Sequence, residues 1–446
     1  MARRVWLIGV AGVAVIALAS VSNSNDETAA TSATSTSSTT GDSATTSPTV
    51  APTTSTAAPT VSPTSISRGV VAAPPSPGRP TRDNPLPTTA ASTTTTAPPQ
   101  NTAPPQNTAP LNAAAFDAVI AAATVDLGDL SAGVAVIRDG KVLHTAAFGM
   151  ENPTESRIAT VNTRFRLASV SKIFTSVAIM QLVNEGAIKL DMPFVDQLGV
   201  RGPFADPRVA TVTVRQLLSH MSGFPISRNI FFGHGLDTWR QAAKAALGQV
   251  LLFDPGTAFQ YSNTNFCLLG LLIEKVTGQS FETAITARVL DPVGAHAHAH
   301  LAPTFDNEVG DAVHASGAGR NYMEVLGPAG GWVATPLDVA RVAAALRADS
   351  TDDMLLDTAT VDMMRVPVPV PVETPPPVTW WSYGLGLMLY ADGSWGHTGT
   401  IENTHALVIN RPDGLTVALL VSGKFPSNSD DLLTIIDQAV AASNAA

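Results

Sequence analysis

Hydrophobic positions along the chain fall into three regimes. An unbroken apolar run occupies residues 5–18, directly behind Arg3 and Arg4. From about residue 20 to 112 the pattern disappears, because Thr, Ser, Ala and Pro dominate and large apolar residues are scarce. After Asn112 apolar positions return with the period of two that marks strands and the period near 3.6 that marks helices.

Within this last regime the pattern predicts specific elements. A short helix is expected over 116–123. Residues 133–137 and 142–148 flank Asp139-Gly140, a hairpin signal, and residues 406–409 and 415–421 flank Arg411-Pro-Asp-Gly414 in the same way. A closing helix over 430–442 groups Leu432, Leu433, Ile435, Ile436 and Val440 on one side. Between the hairpins the pattern is mostly helical. Val170, Ile173, Phe174, Val177 and Met180 follow the helical period up to Gly186, which places Ser169 at or just before a helix N-terminus. Further helices are expected over 214–220, 237–247, 266–276, 280–289 and 336–347. Strands from both ends with helices between them predict an α+β fold: an antiparallel sheet flanked by helices, plus a mainly helical lobe. The proline-rich stretch 366–377 suits neither helix nor central strand and is expected as an exposed loop.

Composition turns these regimes into an organisation. Residues 1–19 form a signal peptide or signal anchor: two arginines, an apolar run, then the small-x-small site Ala17-Leu18-Ala19. Export to the cell envelope or the exterior follows, with the membrane touched only if the leader stays uncleaved. Residues 20–112 cannot bury enough apolar surface to offset their conformational entropy and are expected to be a disordered tether. Its tandem Ala97-Pro-Pro-Gln-Asn-Thr102 and Ala103-Pro-Pro-Gln-Asn-Thr108 suits a spacer. Residues 113–446 then form the folded domain. The lone cysteine, Cys267, excludes an internal disulfide and lies in an apolar helical stretch as a small buried hydrophobe. A net charge of −10 argues against nucleic acid or an anionic membrane surface as partner. His296, His298 and His300 alternate, but they follow a helix-ending turn with no adjoining carboxylate cluster, so neither a metal nor a cofactor is expected.

Candidate chemistry begins in the stretch Arg166-Leu-Ala-Ser-Val-Ser-Lys-Ile-Phe-Thr175. Ser169 precedes Lys172 by three residues, a spacing that puts both on one helix face. A serine hydroxyl is a poor nucleophile until its proton is taken, and an amine enclosed by apolar neighbours such as Ile173, Phe174 and Val177 can lose its charge and take it. Only one of the six lysines has a serine at that spacing. Tyr261-Ser262-Asn263 adds a phenol as second proton carrier and an amide to hold a substrate carbonyl or N–H. Gly396-His397-Thr398-Gly399-Thr400 leads into the last hairpin, where a strand edge can direct an N–H at a substrate carbonyl oxygen.

The ordered set Ser-x-x-Lys, Tyr-x-Asn and His-Thr-Gly resembles the serine β-lactamase and penicillin-binding superfamily, in its class C and D-Ala-D-Ala carboxypeptidase branch. Thr213-Val-Arg-Gln-Leu-Leu-Ser-His-Met-Ser-Gly223, Pro255-Gly-Thr-Ala-Phe-Gln-Tyr-Ser-Asn263 and Ala329-Gly-Gly-Trp-Val-Ala-Thr335 extend the resemblance in family order. It implies that Ser169 is acylated, that Lys172 and Tyr261 share proton transfer, and that Asn263, His397, Thr398, Gly399 and Thr400 bind substrate. It also implies an oxyanion site between the backbone N–H groups of Ser169 and Thr400, with the hydroxyls of Thr398 and Thr400 facing the ligand. The expected substrate is a small acyl or peptide compound such as a cell-wall peptide or a β-lactam. The activity expected first is that of a D-Ala-D-Ala carboxypeptidase, followed by a class C-like β-lactamase or an esterase. A penicillin- or peptide-binding wall protein without turnover is the alternative of another class. His397 stands where many β-lactamases of the family carry lysine, and no Lys or Arg lies between Val366 and Asn410. A cation for a substrate carboxylate must therefore be His397, a distant arginine, or absent, and absence favours a neutral ester or amide.

Overall fold

Asp139 and Gly140 both hold positive φ, 50° and 72°, the turn that a two-residue hairpin needs to match strand twist. They join β1 (Ser131–Arg138) to β2 (Lys141–Asn152). These elements come from a computed structural model that describes residues 110–445, apart from 234, 296, 303–307, 314–321, 348–354, 370–379, 425–428 and 430. The expected leader, nearly all of the tether, His296 and most of the proline-rich stretch lie outside the described residues.

The remaining strands are β3 (Arg157–Ile158), β4 (Phe165–Arg166), β5 (His300–Leu301), β6 (Trp332–Ala334), β7 (Trp380–Tyr383), β8 (Met388–Tyr390), β9 (Trp395–Ile401), β10 (Thr404–Asn410) and β11 (Leu415–Ser422). Eight of them form one antiparallel sheet in the order β3-β2-β1-β11-β10-β9-β8-β7, and β4-β6-β5 make a small second sheet. Both predicted hairpins are present. Strands β7 and β8 and the small sheet go beyond what the hydrophobic pattern predicted, because runs of two to four residues are too short to show a period.

Alternation along the central strands buries both faces of the large sheet. Val134, Val136, Leu407, Ile409, Leu419 and Val421 pack with Phe116, Ile120, Leu432 and Ile436 from the terminal helices Ala113–Ala123 and Asp431–Ala445. Ala135, Ile137, Ala406, Val408, Ala418 and Leu420 face the helical lobe. Hence β11 reads as an almost continuous apolar run, unlike a strand with one face in water.

The helix Ser171–Asn184 departs from the expected one-sided pattern: ten of its first ten residues, Ser171 to Met180, are buried. Its small polar side chains make this tolerable by finding partners in the neighbouring loop. Thr175 donates to the Pro328 carbonyl at 2.8 Å, and Ser171 Oγ accepts from the Trp332 N–H at 3.2 Å. Phe174 meets the Trp332 ring edge-on at 5.7 Å. The helices predicted over 214–220 and 237–247 occur as Val214–Leu218 and Trp239–Ala246, each opened by a threonine capping box. The segment expected as one helix over 280–289 changes hydrogen-bond pattern after Phe281–Ile285 and continues as a π-helical turn, Thr286–Leu290.

His298 and His300 face carboxylates, with Nδ1 of His298 3.9 Å from Asp338 and Nε2 of His300 3.7 Å from Asp311. Among the described residues no group of three His, Cys, Asp or Glu is placed to hold a metal ion, and no helix is long and apolar enough to cross a membrane. Truncating Phe174 to alanine removes the ring that wedges the Ser171–Asn184 helix against Trp332. The expected loss is about 3–5 kcal/mol of unfolding free energy, read from urea denaturation.

Candidate active site

Ser169 owes its position to the small sheet. Phe165 and Arg166 pair with Ala334 and Val333, and the Leu167 N–H donates to the Trp332 carbonyl at 2.9 Å. The chain then turns sharply. Ala168 is buried and takes φ of 47°, a left-handed conformation that costs a non-glycine residue of order 1–3 kcal/mol. Ser169 follows in a single 3-10 turn, Ala168–Val170, at the mouth of the Ser171–Asn184 helix. It is half-buried where its neighbours are fully enclosed.

One turn further on, Lys172 is completely buried. Its Nζ lies 3.1 Å from Ser169 Oγ, 2.8 Å from Asn263 Oδ1 and 2.7 Å from the Ala329 carbonyl oxygen. Burial disfavours its charge and brings its pKa from 10.5 to about 7. The partners suit both forms. An ammonium donates to all three, whereas a neutral amine donates to the two carbonyl-type oxygens and keeps its lone pair for the Ser169 hydroxyl.

Tyr261 and Asn263 lie at the opening of the helix Asn263–Thr277, so that helix starts earlier than its apolar pattern suggested. Lys172 Nζ sits 4.9 Å from the centre of the Tyr261 ring. Burial raises the Tyr261 pKa, which the facing Ser169 side chain lowers in part, so the phenol is held protonated. Its buried hydroxyl makes no hydrogen bond of ordinary geometry among the described residues. Asn263 spends Oδ1 on Lys172, which leaves its Nδ2 hydrogens as the end able to meet a substrate carbonyl.

His220, which the sequence placed only within the segment 213–223, supports this wall. It is buried with φ of 59°, and its ring lies 4.3 Å from that of Tyr261. Nδ1 accepts from the Ser262 N–H at 3.2 Å and lies 2.9 Å from Asn265 Nδ2. Burial first, then the charges of Lys172 and His397, pushes its pKa well below 6.5, so the ring is neutral. Neither this support nor the Ala329 carbonyl was readable beforehand, since each depends on which loops meet. The segment Ala329-Gly-Gly-Trp332 was the only hint.

The third motif lies on β9, and here the structure corrects two expectations. His397 is completely buried and does not present its ring as a cation to the cleft. Its Nδ1 lies 2.5 Å from the Thr398 carbonyl oxygen and its Nε2 2.9 Å from the Tyr383 hydroxyl. A carbonyl can only accept, so Nδ1 carries the proton. Burial lowers the pKa to about 3, which leaves Nε2 to accept from Tyr383. The hydroxyls of Thr398 and Thr400 also turn away from the ligand side. Thr398 Oγ1 is 3.4 Å from Met388 Sδ in the core beneath the terminal helices, and Thr400 Oγ1 is 2.5 Å from Ser429 Oγ. The cause is strand alternation: Gly399 faces the nucleophile, so its neighbours face the other way.

Gly399 sits where no larger residue fits. A Cβ there would stand 2.4 Å from the Leu167 carbonyl oxygen and 2.9 Å from the Ser169 nitrogen. β10 pairs with β9 as far as Ile401, but β8 pairs only with Trp395 and Gly396. Beyond Gly396 the opposite edge of β9 has no strand partner among the described residues. Thr398 directs its N–H at Met388 Sδ and its carbonyl at His397, both on that edge. With a period of two, the Thr400 N–H points the same way, alongside Ser169.

A half-exposed serine, a buried lysine and phenol, and a strand edge without a strand partner among the described residues thus converge at one place. The sequence profile of the Beta-lactamase family matches residues 116–442. The chain belongs to the Beta-lactamase family. Its antiparallel sheet, with helices on both faces, is the fold of that family. The chain is 30% identical over 314 residues to penicillin-binding protein 4 of Amycolatopsis lactamdurans, covering 66% of this chain and 80% of that one. It is 37% identical over 153 residues to the probable fimbrial assembly protein FimD, serogroup H1, of Dichelobacter nodosus. That match covers 34% of this chain and spans only 39% of FimD. Among solved structures, the D-amino acid amidase of Ochrobactrum anthropi SV3 complexed with L-phenylalanine amide aligns with a TM-score of 0.62 at 22% identity, over 74% of this chain and 98% of that one. At that identity the likeness concerns the fold.

Three outcomes follow for this family member. Gly399→Val forces β9 off the Leu167–Ser169 turn and is expected to lower the rate of Ser169 acylation at least 100-fold, about what deletion of one oxyanion donor costs; a stopped-flow measurement of acylation checks it. With Lys172 as base, the rate rises with pH through an apparent pKa of about 7 and falls about tenfold per unit below it. Because the folded-state pKa lies below the ordinary 10.5, the unfolded chain binds more protons between these values. Stability therefore gains from this group as pH rises through that window, which urea titrations at several pH values would register.

Proposed function

We propose that the protein is a serine hydrolase that works through an acyl-enzyme on Ser169. The observation that carries this reading is Lys172, buried, stripped of much of its charge and 3.1 Å from Ser169 Oγ. In this reading neutral Lys172 takes the hydroxyl proton as Ser169 Oγ bonds to the substrate carbonyl carbon. The oxyanion forms between the N–H groups of Ser169 and Thr400. Tyr261 gives its proton to the leaving nitrogen or oxygen as that bond breaks, and the Lys172 ammonium returns a proton to the phenolate. Water then attacks the ester along the reverse path, with the same groups as base and acid. Asn263 holds the substrate amide through Nδ2.

The substrate we propose is an amide or ester whose leaving amine or alcohol carries no carboxylate. A D-Ala-D-Ala carboxypeptidase, the activity expected first from the sequence, releases an amino acid whose carboxylate calls for a cation. His397 is neutral and enclosed, which argues for a substrate without that carboxylate. The carboxypeptidase reading keeps support from the relative named penicillin-binding protein 4. Export by the N-terminal leader belongs to the same proposal, and a cell-wall peptide or a β-lactam as ligand goes with the carboxypeptidase reading.

Intact-mass spectrometry of the full chain with a fluorescent penicillin, a D-alanyl amide, a short-chain ester and a peptide ending in free D-Ala-D-Ala tests these readings. The expected result is an adduct on Ser169 that is absent in Ser169→Ala, together with at least tenfold higher kcat/KM for the amide or ester than for the free-carboxylate peptide. Preference for the peptide restores the carboxypeptidase assignment. A lasting adduct without turnover of any substrate points to the binding protein.

A further inference from the structure

Tyr383 has no part in the proton transfers, yet it stands at the junction of the groups that have. It closes β7, is completely buried, and its hydroxyl lies 2.9 Å from His397 Nε2. Its ring packs 5.0 Å from that of His220 and edge-on to those of Tyr261 and His397, at 6.2 and 5.7 Å. From the hydroxyl a chain of two hydrogen bonds runs to the strand edge. Tyr383 donates to Nε2 of His397, and Nδ1 of the same ring donates to the Thr398 carbonyl. That carbonyl faces the side of β9 that β8 leaves unpaired. Two residues on, the Thr400 N–H faces the same side. An edge without a strand partner is free to twist or slide. Here a side-chain relay from β7 holds what a strand would otherwise hold.

We propose that Tyr383 is a positioning residue for acyl transfer: by donating to Nε2 it anchors the His397 ring with Nδ1–H on the Thr398 carbonyl, and His397 in turn fixes the edge of β9 that directs the Thr400 N–H at the substrate oxygen. The catalytic half of this inference rests on acylation of Ser169. The structural half does not. The relay is one-directional in its chemistry. If Nε2 carried the proton instead, Nδ1 would turn a lone pair toward the Thr398 carbonyl oxygen, and the contact at 2.5 Å would become repulsive. The Thr398 carbonyl therefore sets the tautomer, and the Tyr383 hydroxyl donates to the Nε2 lone pair that this tautomer leaves, which pins the ring at its far end. Phenylalanine keeps the ring contacts and removes only this hydrogen bond.

The test begins with the full chain labelled with 15N-histidine. At pH 7 the ring of His397, assigned by its loss in His397→Asn, is expected to be neutral and protonated at Nδ1; protonation at Nε2, or a charged ring, overturns the proposal whatever the enzyme does. In Tyr383→Phe the ring is expected to stay protonated at Nδ1 while its Nε2 resonance shifts as that nitrogen loses its donor; an unchanged Nε2 resonance overturns the proposal. Acylation by fluorescent penicillin is then followed in wild type, Tyr383→Phe, His397→Asn and the double variant, at a temperature where melting curves show each to be folded. Tyr383→Phe is expected to lower the maximal acylation rate about tenfold with apparent affinity within about threefold, the pattern of an interaction made in the transition state. The double variant is expected to be no slower than His397→Asn, because Tyr383 acts through that ring. A wild-type rate in Tyr383→Phe, or losses that multiply in the double variant, overturns it. Absence of any adduct on wild type with both the penicillin and the short-chain ester instead removes the acyl-transfer reading, and the histidine measurement still decides whether the relay exists.

Discussion

The enclosure of one amine governs this molecule. A lysine side chain taken out of water strongly favours its uncharged form unless partners surround it, and the partners of Lys172 come from three separate parts of the chain: Ser169 one turn before it, Asn263 at the start of another helix, and the Ala329 carbonyl in a glycine-rich loop. Bringing them together requires a helix buried on every side, a loop packed close to it and a second helix that begins at its polar end. Much of the helical lobe can be understood as the apparatus that holds those three oxygens around one nitrogen.

How much of this was legible in the sequence depended on the range of the interaction. The outer hairpin at Asp139-Gly140, the last hairpin and the capped helices rest on local backbone chemistry, and the pattern located them within a few residues. The serine–lysine spacing was also local, which is why Ser169 and Lys172 stood out from one helical turn. Residues whose importance depends on distant neighbours were not legible. His220 looked like a turn residue because it is one; what it supports arrives 42 residues later. His397 was one of three possible answers to the missing substrate cation, because a motif says nothing about burial. Tyr383 lies in a strand too short to have a period.

A common physical theme links the corrections. Burial strips charge from Lys172 and His397, keeps the proton on Tyr261 and leaves His220 neutral. The resulting site is rich in titratable groups and poor in net charge. Such a cleft stabilises a reaction through oriented dipoles and proton sharing more than through fixed ions. Strand alternation then decides which atoms take part. On β9 the glycine faces the nucleophile, so the threonines contribute backbone and not hydroxyls.

The pairing of β1 with β11 has a consequence for how the domain comes into being. These two strands sit side by side at the middle of the sheet, though they lie near opposite ends of the domain sequence: Ser131 pairs with Ser422 and Arg138 with Leu415. The terminal helices repeat the arrangement, for the Asn112 N–H reaches Ser443 Oγ at 2.7 Å. A chain emerging from the ribosome can wind its helices early, but the central strand must wait for a neighbour nearly 280 residues downstream, and loops of that length close slowly. Until then the apolar faces of β1 and β2 stay open to solvent, which makes the growing chain a natural client for chaperones.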